Sequence, residues 1–103
     1  MSTRNDDDAF ELVLVKLRGA LSNTCGKLRA SDALVLAGFV SPSYHRQQLV
    51  AHALRDLGWE RGRFRFNGSL LYAYARGTQL EREVMLYVER DVDDRLVVKR
   101  REP

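Results

Sequence analysis

Apolar positions in the first fifth of the chain recur at intervals of three and four. Phe10, Val13, Leu14, Leu17 and Leu21 fall on one side of a helix turned about 100° per residue. The pattern predicts a helix from Asp7 or Asp8, either of which can cap it, to about Leu21. A polar run, SNTCGK, reads as a loop, and residues 1–7 as a flexible N-terminus. Ser31 then suits the N-cap of a short helix over residues 32–37, with Gly38 as its stop and Phe39 and Val40 packing in the turn. Ser41-Pro42 is a second helix start, a capping hydroxyl followed by proline at the first helical position. That helix runs to Leu57 and stops at Gly58, with Leu49, Val50, Ala53, Leu54 and Leu57 as its apolar stripe. Its other side carries Tyr44, Gln47, Gln48, Ala51, His52 and Arg55, with Asp56 at the flank.

Beyond Gly58 the period changes from helical to alternating. Asn67-Gly68 supplies the positive φ values of a two-residue hairpin turn. That turn pairs Phe66 with Ser69, Phe64 with Leu71 and Gly62 with Ala73, an apolar face suited to the core. It pairs Arg65 with Leu70, Arg63 with Tyr72 and Arg61 with Tyr74, which sets the arginines on the side away from the core. Trp59 reads as a core residue between helix and hairpin. From Thr78 two readings compete. Thr78 and Glu81 can box the start of a helix over 79–90, or Val84–Val88 is a strand that turns at Asp91–Asp94 and returns through Leu96-Val97-Val98, leaving KRRE as a loose end.

Charge sharpens this outline. The chain has 103 residues and a net charge of +3, unevenly spread. Residues 12–57 carry six basic and two acidic groups, and residues 58–77 four arginines against Glu60, whereas both ends are net acidic. Positive charge concentrated on one helix and one hairpin is the footprint of a nucleic-acid contact. An α-helix fits the major groove, and a basic two-stranded ribbon beside it reaches phosphates. The candidate contacts are Tyr44, Arg46, Gln47, Gln48, His52 and Arg55 on the helix, and Arg61, Arg63, Arg65 and Arg76 on the hairpin.

Other chemistries fit poorly. His45 and His52 are seven apart, not the i,i+4 of a helical metal pair. Cys25 has no histidine near it in sequence, so it is not expected to act as a nucleophile. Asp91, Asp93 and Asp94 suit a turn better than a calcium loop. No catalysed step, metal or other cofactor is expected. One cysteine, an acidic start and no long apolar run fit a cytoplasmic protein away from membranes.

The run LVAHALRDLGWERGRFRFNGSLLYAYARG resembles the winged-helix domains of phage and plasmid proteins, especially those at the C-terminal end of phage-type primase-helicases. The shared features are Ala53-Leu54, Leu57-Gly58-Trp59, the basic strand Arg61 to Arg65, the Asn67-Gly68 turn and the aromatic strand Tyr72 to Tyr74. The likeness covers roughly residues 30–77 and lacks any GxxxxGK[ST] loop. It implies an α+β winged helix-turn-helix over 8–77, of three helices and a β-wing, with residues 78–103 as an extension of strands or a dimerisation helix. The expected function is double-stranded DNA binding by a transcription regulator or replication accessory protein of a phage or mobile element. A homodimer is a further expectation. The alternative is a phage-type inhibitor or adaptor that turns the same fold against a host protein complex.

Overall fold

The structure, a computed structural model, describes the backbone of residues 2–101 and the side chains of residues 8–101. Its elements in chain order are α1 (Ser2–Leu21), β1 (Gly26–Arg29), α2 (Ala30–Leu36), α3 (Tyr44–Asp56), β2 (Glu60–Phe66), β3 (Ser69–Arg76), a single 3-10 turn (Glu81–Glu83), β4 (Met85–Arg90) and β5 (Leu96–Arg101). This is an α+β fold of three helices and one five-stranded mixed sheet, ordered β2-β3-β1-β4-β5. Every neighbouring pair is antiparallel except β1 with β4.

The helices collect on one face of the sheet because each has one apolar stripe. Val13, Leu14, Leu17 and Leu21 of α1 meet Val50, Ala53 and Leu54 of α3 and Ala33 and Leu36 of α2. These close over Leu28, Tyr74 and Leu86 of the sheet. Trp59 is buried in the same cluster, as its place after the helix stop implies. A second, smaller cluster of Phe66, Ala73 and Met85, with Phe64 and Tyr87 against it, lies on the other face. Phe66 ends β2 opposite Ser69 yet packs against Met85, so the hairpin coils over that second face, as long two-stranded ribbons do.

Several boundaries differ from expectation, each for a local reason. Helix α1 begins at Ser2, so Asp7 and Asp8 sit inside it and not at its cap. Met1 lies outside the described residues. The loop assigned to SNTCGK ends early, because Gly26–Arg29 forms β1 between β3 and β4. Helix α2 therefore starts at Ala30, which puts Ser31 inside it. Gly38 ends α2 as expected, with a φ of 92° and the amides of Gly38 and Phe39 donating to the Val35 and Leu34 carbonyls. Phe39 packs against the core, but Val40 is fully exposed. The cap of α3 is Ser43 and not Ser41: its Oγ accepts from the Arg46 amide at 3.2 Å.

After β3 the chain follows the hairpin reading. Thr78 and Glu81 do form a reciprocal box, with Glu81 Oε1 accepting from the Thr78 amide at 2.8 Å and Thr78 Oγ1 from the Glu81 amide at 3.3 Å. It caps only the single 3-10 turn, since the chain becomes extended at Val84, and Met85 and Leu86 are buried as strand residues. Asp91 Oδ1 accepts from the amides of Asp93 and Arg95, which makes the acidic run a turn. Of the KRRE segment, Lys99–Arg101 is not a loose end: β5 runs through Arg101, pairing Lys99 with Tyr87 and Arg101 with Met85, and Glu102 lies outside the described residues. No helix among the described residues is long and apolar enough to cross a membrane.

Two carboxylates tie these segments together and set an acid limit. A bidentate contact with Arg82, at 2.9 and 3.2 Å, holds Glu60 below its ordinary value of 4.5. The Thr78 amide and hydroxyl do the same for Glu81. A depressed folded value means the contribution is present above the unfolded value and is lost as pH falls through the folded one. The urea midpoint is therefore expected to fall as the pH drops below 4.5, and a Glu60→Gln/Glu81→Gln variant to fall less steeply over the same range. Parallel curves would remove these two groups from the account.

Candidate nucleic-acid interface

The geometry begins at the end of α3. The Gly58 amide donates to the Arg55 carbonyl and the Trp59 amide to the Leu54 carbonyl, with Gly58 at a φ of 90°. This left-handed stop turns the chain straight into β2. Strands β2 and β3 then take the register that Asn67-Gly68 dictates, Arg61 opposite Tyr74, Arg63 opposite Tyr72 and Arg65 opposite Leu70. The face is reversed from expectation. Tyr74 is 4% exposed and belongs to the helix-side core, so its partner Arg61, and with it Arg63 and Arg65 at alternate positions, lie on the helix side of the sheet, where all three stay exposed. The hairpin alone cannot reveal this. It is decided by β1, whose Leu28 pairs with Tyr74 and faces the helices.

The reversal brings Arg61 to α3. Arg61 lines a notch with Ala51 and Arg55 of α3, Trp59, Glu60 and Tyr74. On its other side it lines a groove with Gln47, Val50, Pro42 and Ser31. Gln47, Ala51 and Arg55, one turn apart, thus border β2 directly. Tyr44, 79% exposed, and His52 stand on the outer side of α3 with the half-buried Gln48. The guanidinium carbons of Arg61 and Arg63 lie 5.8 and 5.6 Å from the centre of the Tyr72 ring, which is 61% exposed. Arg65, opposite Leu70, has no aromatic partner across the strand. Burial raises the Tyr74 phenol above its usual value, against the pull of Arg61, so it is a neutral donor. Glu60, the carboxylate nearest the notch, is held by Arg82.

Two of the expected contacts have other work. Arg46 donates to the Ser41 carbonyl at 2.8 Å and Oγ at 3.1 Å and covers the Phe39 ring, so it locks the turn before α3. Arg76 is half-buried and turned inward. Its guanidinium donates to the carbonyls of Leu21, Thr24 and Leu57 and stacks 4.9 Å from the Trp59 ring centre. The Leu21 and Leu57 carbonyls end α1 and α3 and Thr24 follows α1 in the loop, so Arg76 ties two helix termini to the sheet. Among the described residues no group of three or more His, Cys, Asp or Glu could hold a metal ion.

Ser31 and Pro42 were not among the expected contacts. They reach the groove through the packing of α2 and the turn before α3, which leaves no signal in local sequence. The chain matches no protein-family model, no curated protein and no solved structure, so its chemistry is read from its own residues.

Proposed function

We propose that the chain is a winged helix-turn-helix that binds double-stranded DNA. The observation that carries this reading is the meeting of Arg61 with Arg55 and Gln47, which merges the polar side of α3 and the arginine row of β2 into one cationic surface. The element order α1-β1-α2-α3-β2-β3 and the strand order β2-β3-β1 support the winged-helix assignment. In this reading Tyr44, Gln47, Gln48, His52 and Arg55 meet base edges in the major groove, and Arg61, Arg63 and Arg65 meet phosphates. This reading assigns no chemical step to the protein. The biological role that accords with the sequence resemblance is a regulator or replication accessory protein of a mobile element.

Duplex binding measured against salt tests this. With an Arg61→Ala/Arg63→Ala/Arg65→Ala variant, the slope of log K against log salt is expected to become shallower by about 2.7, at about 0.9 per lost phosphate contact. No duplex binding at low salt ends the DNA reading. The exposed Tyr44, Leu70 and Tyr72 beside the arginines would then favour the rival reading, a surface for a host protein.

A further inference from the structure

The second face of the sheet, opposite the helices, gathers four cations around an apolar floor. Register places Lys27 of β1 beside Met85 of β4, and Met85 beside Arg101 of β5. One step along, Arg29 lies 5.7 Å from the centre of the Tyr87 ring, and Tyr87 pairs with Lys99. Strands sit about 4.8 Å apart, so two lines of cations run about 10 Å apart with Met85 and Tyr87 between them. The coiled hairpin walls one side with Phe64 and Phe66, and Lys27 lies 5.3 Å from the Phe66 ring centre.

Edge protection explains only part of this. Lysine and arginine on an edge strand discourage sheet-to-sheet pairing, which would account for Lys99 and Arg101 on β5. Lys27 and Arg29 lie on β1, the middle strand of five. The carboxylates on this face are few: Glu60 is held by Arg82, Asp32 pairs with Arg29 at 3.1 Å, and Glu89 follows Tyr87 on β4. Among the described residues no ion pair engages Lys27, Lys99 or Arg101. No described helix contributes to the cluster on this face.

We propose that this channel binds single-stranded nucleic acid, its phosphates along the two cationic lines and its bases on the half-buried rings of Tyr87 and Phe64. An apolar floor between cations serves a base with a free face, which a duplex does not offer. The surface shares no residue with the α3–β2 surface, so the two proposals stand or fall separately.

The test uses labelled oligo(dT) and oligo(U) of about 12 nucleotides, within the usual range of single-strand sites. The full chain is expected to bind at low salt, and the preferred sugar identifies DNA or RNA. Lys99→Glu/Arg101→Glu is expected to weaken binding about tenfold or more. Lys99→Gln/Arg101→Gln, the milder pair, is expected to reduce the salt slope by about 1.4, at about 0.7 per single-strand phosphate. The Arg61/Arg63/Arg65→Ala variant should keep binding these oligonucleotides and lose less affinity than the Lys99→Glu/Arg101→Glu pair. Absence of binding, an unchanged slope in the glutamine pair, or loss of binding in the arginine triple each overturns the proposal. Capture of polyglutamate without oligonucleotide binding would overturn it too and point to an acidic protein partner.

Discussion

Replacing Arg76 with alanine is expected to cost about 3–4 kcal/mol of folding stability, a large share of the 5–15 kcal/mol typical of a domain. One guanidinium serves the carbonyls of Leu21, Thr24 and Leu57 and covers the Trp59 ring. Two of those carbonyls belong to Leu21, the last residue of α1, and Leu57, the C-cap of α3. Carbonyls at a helix end lack intrahelical donors, and a cation there also opposes the helix dipole. Its loss would leave the Thr24 and Leu57 acceptors to water, with the Leu21 carbonyl keeping its bond from the Thr24 amide, and uncover an indole whose own N–H already has no partner. Urea unfolding is the measurement. Arg76→Lys should recover only part of the loss, since an ammonium cannot span three carbonyls in the plane of a fork. A cost under about 1 kcal/mol for Arg76→Ala, the worth of one ordinary hydrogen bond, would show that solvent replaces these contacts.

Arg76 also marks where sequence stops being legible. In the chain it is one more arginine in a basic run, and nothing local separates it from Arg61, Arg63 and Arg65. Its partners lie 19 to 55 positions away. By contrast, features written in two or three adjacent residues were readable. Asn67-Gly68 determines the whole β2–β3 register, and Gly38 and Gly58 end α2 and α3 through their positive φ. The apolar stripes of α1 and α3 became the core.

What local pattern could not supply was β1. Its four residues, Gly-Lys-Leu-Arg, are too few for alternation to register, yet Leu28 is wholly buried and β1 joins the two halves of the sheet. Missing β1 had two consequences. From the Asn67-Gly68 register alone the apolar pairs take the core side, whereas the sheet turns the arginine side toward the helices. Without β1 the local pattern also offers β4 no parallel partner, so it leaves both helix and strand open for residues 79–90, and with them the pairing of Lys99–Arg101. The α3 residues of the candidate interface were legible because an exposed helix face follows from its buried one. The second basic surface was not, because it exists only where β1, β4 and β5 lie side by side.

The same seam governs the second large effect, expected for Gly26→Ala. Gly26 opens β1 at a φ of 147°, and a Cβ there would stand 2.7 Å from the Val84 carbonyl oxygen and 3.0 Å from Leu86 Cγ. The obstacle is backbone, and it adjoins the bond from the Lys27 amide to that same Val84 oxygen at 2.9 Å. A methyl group therefore meets strain from φ and overlap from packing together, an expected cost of about 2–4 kcal/mol. Gly68→Ala separates the two causes. Its φ is 88° with nothing within 4 Å, so it carries the φ strain alone and should cost about 1–2 kcal/mol. The pairing of β1 with β4 is short, Lys27 with Met85 and Leu28 with Leu86, so it is the joint that yields. In Gly26→Ala the amides of Met85–Arg90 are expected to exchange with solvent faster, whereas those bonded within the β2–β3 ladder hold, because that ladder does not pass through Gly26. Equal acceleration throughout the sheet would mean that the five strands open as one unit, and that β4 and β5 are as integral to the domain as the hairpin beside α3.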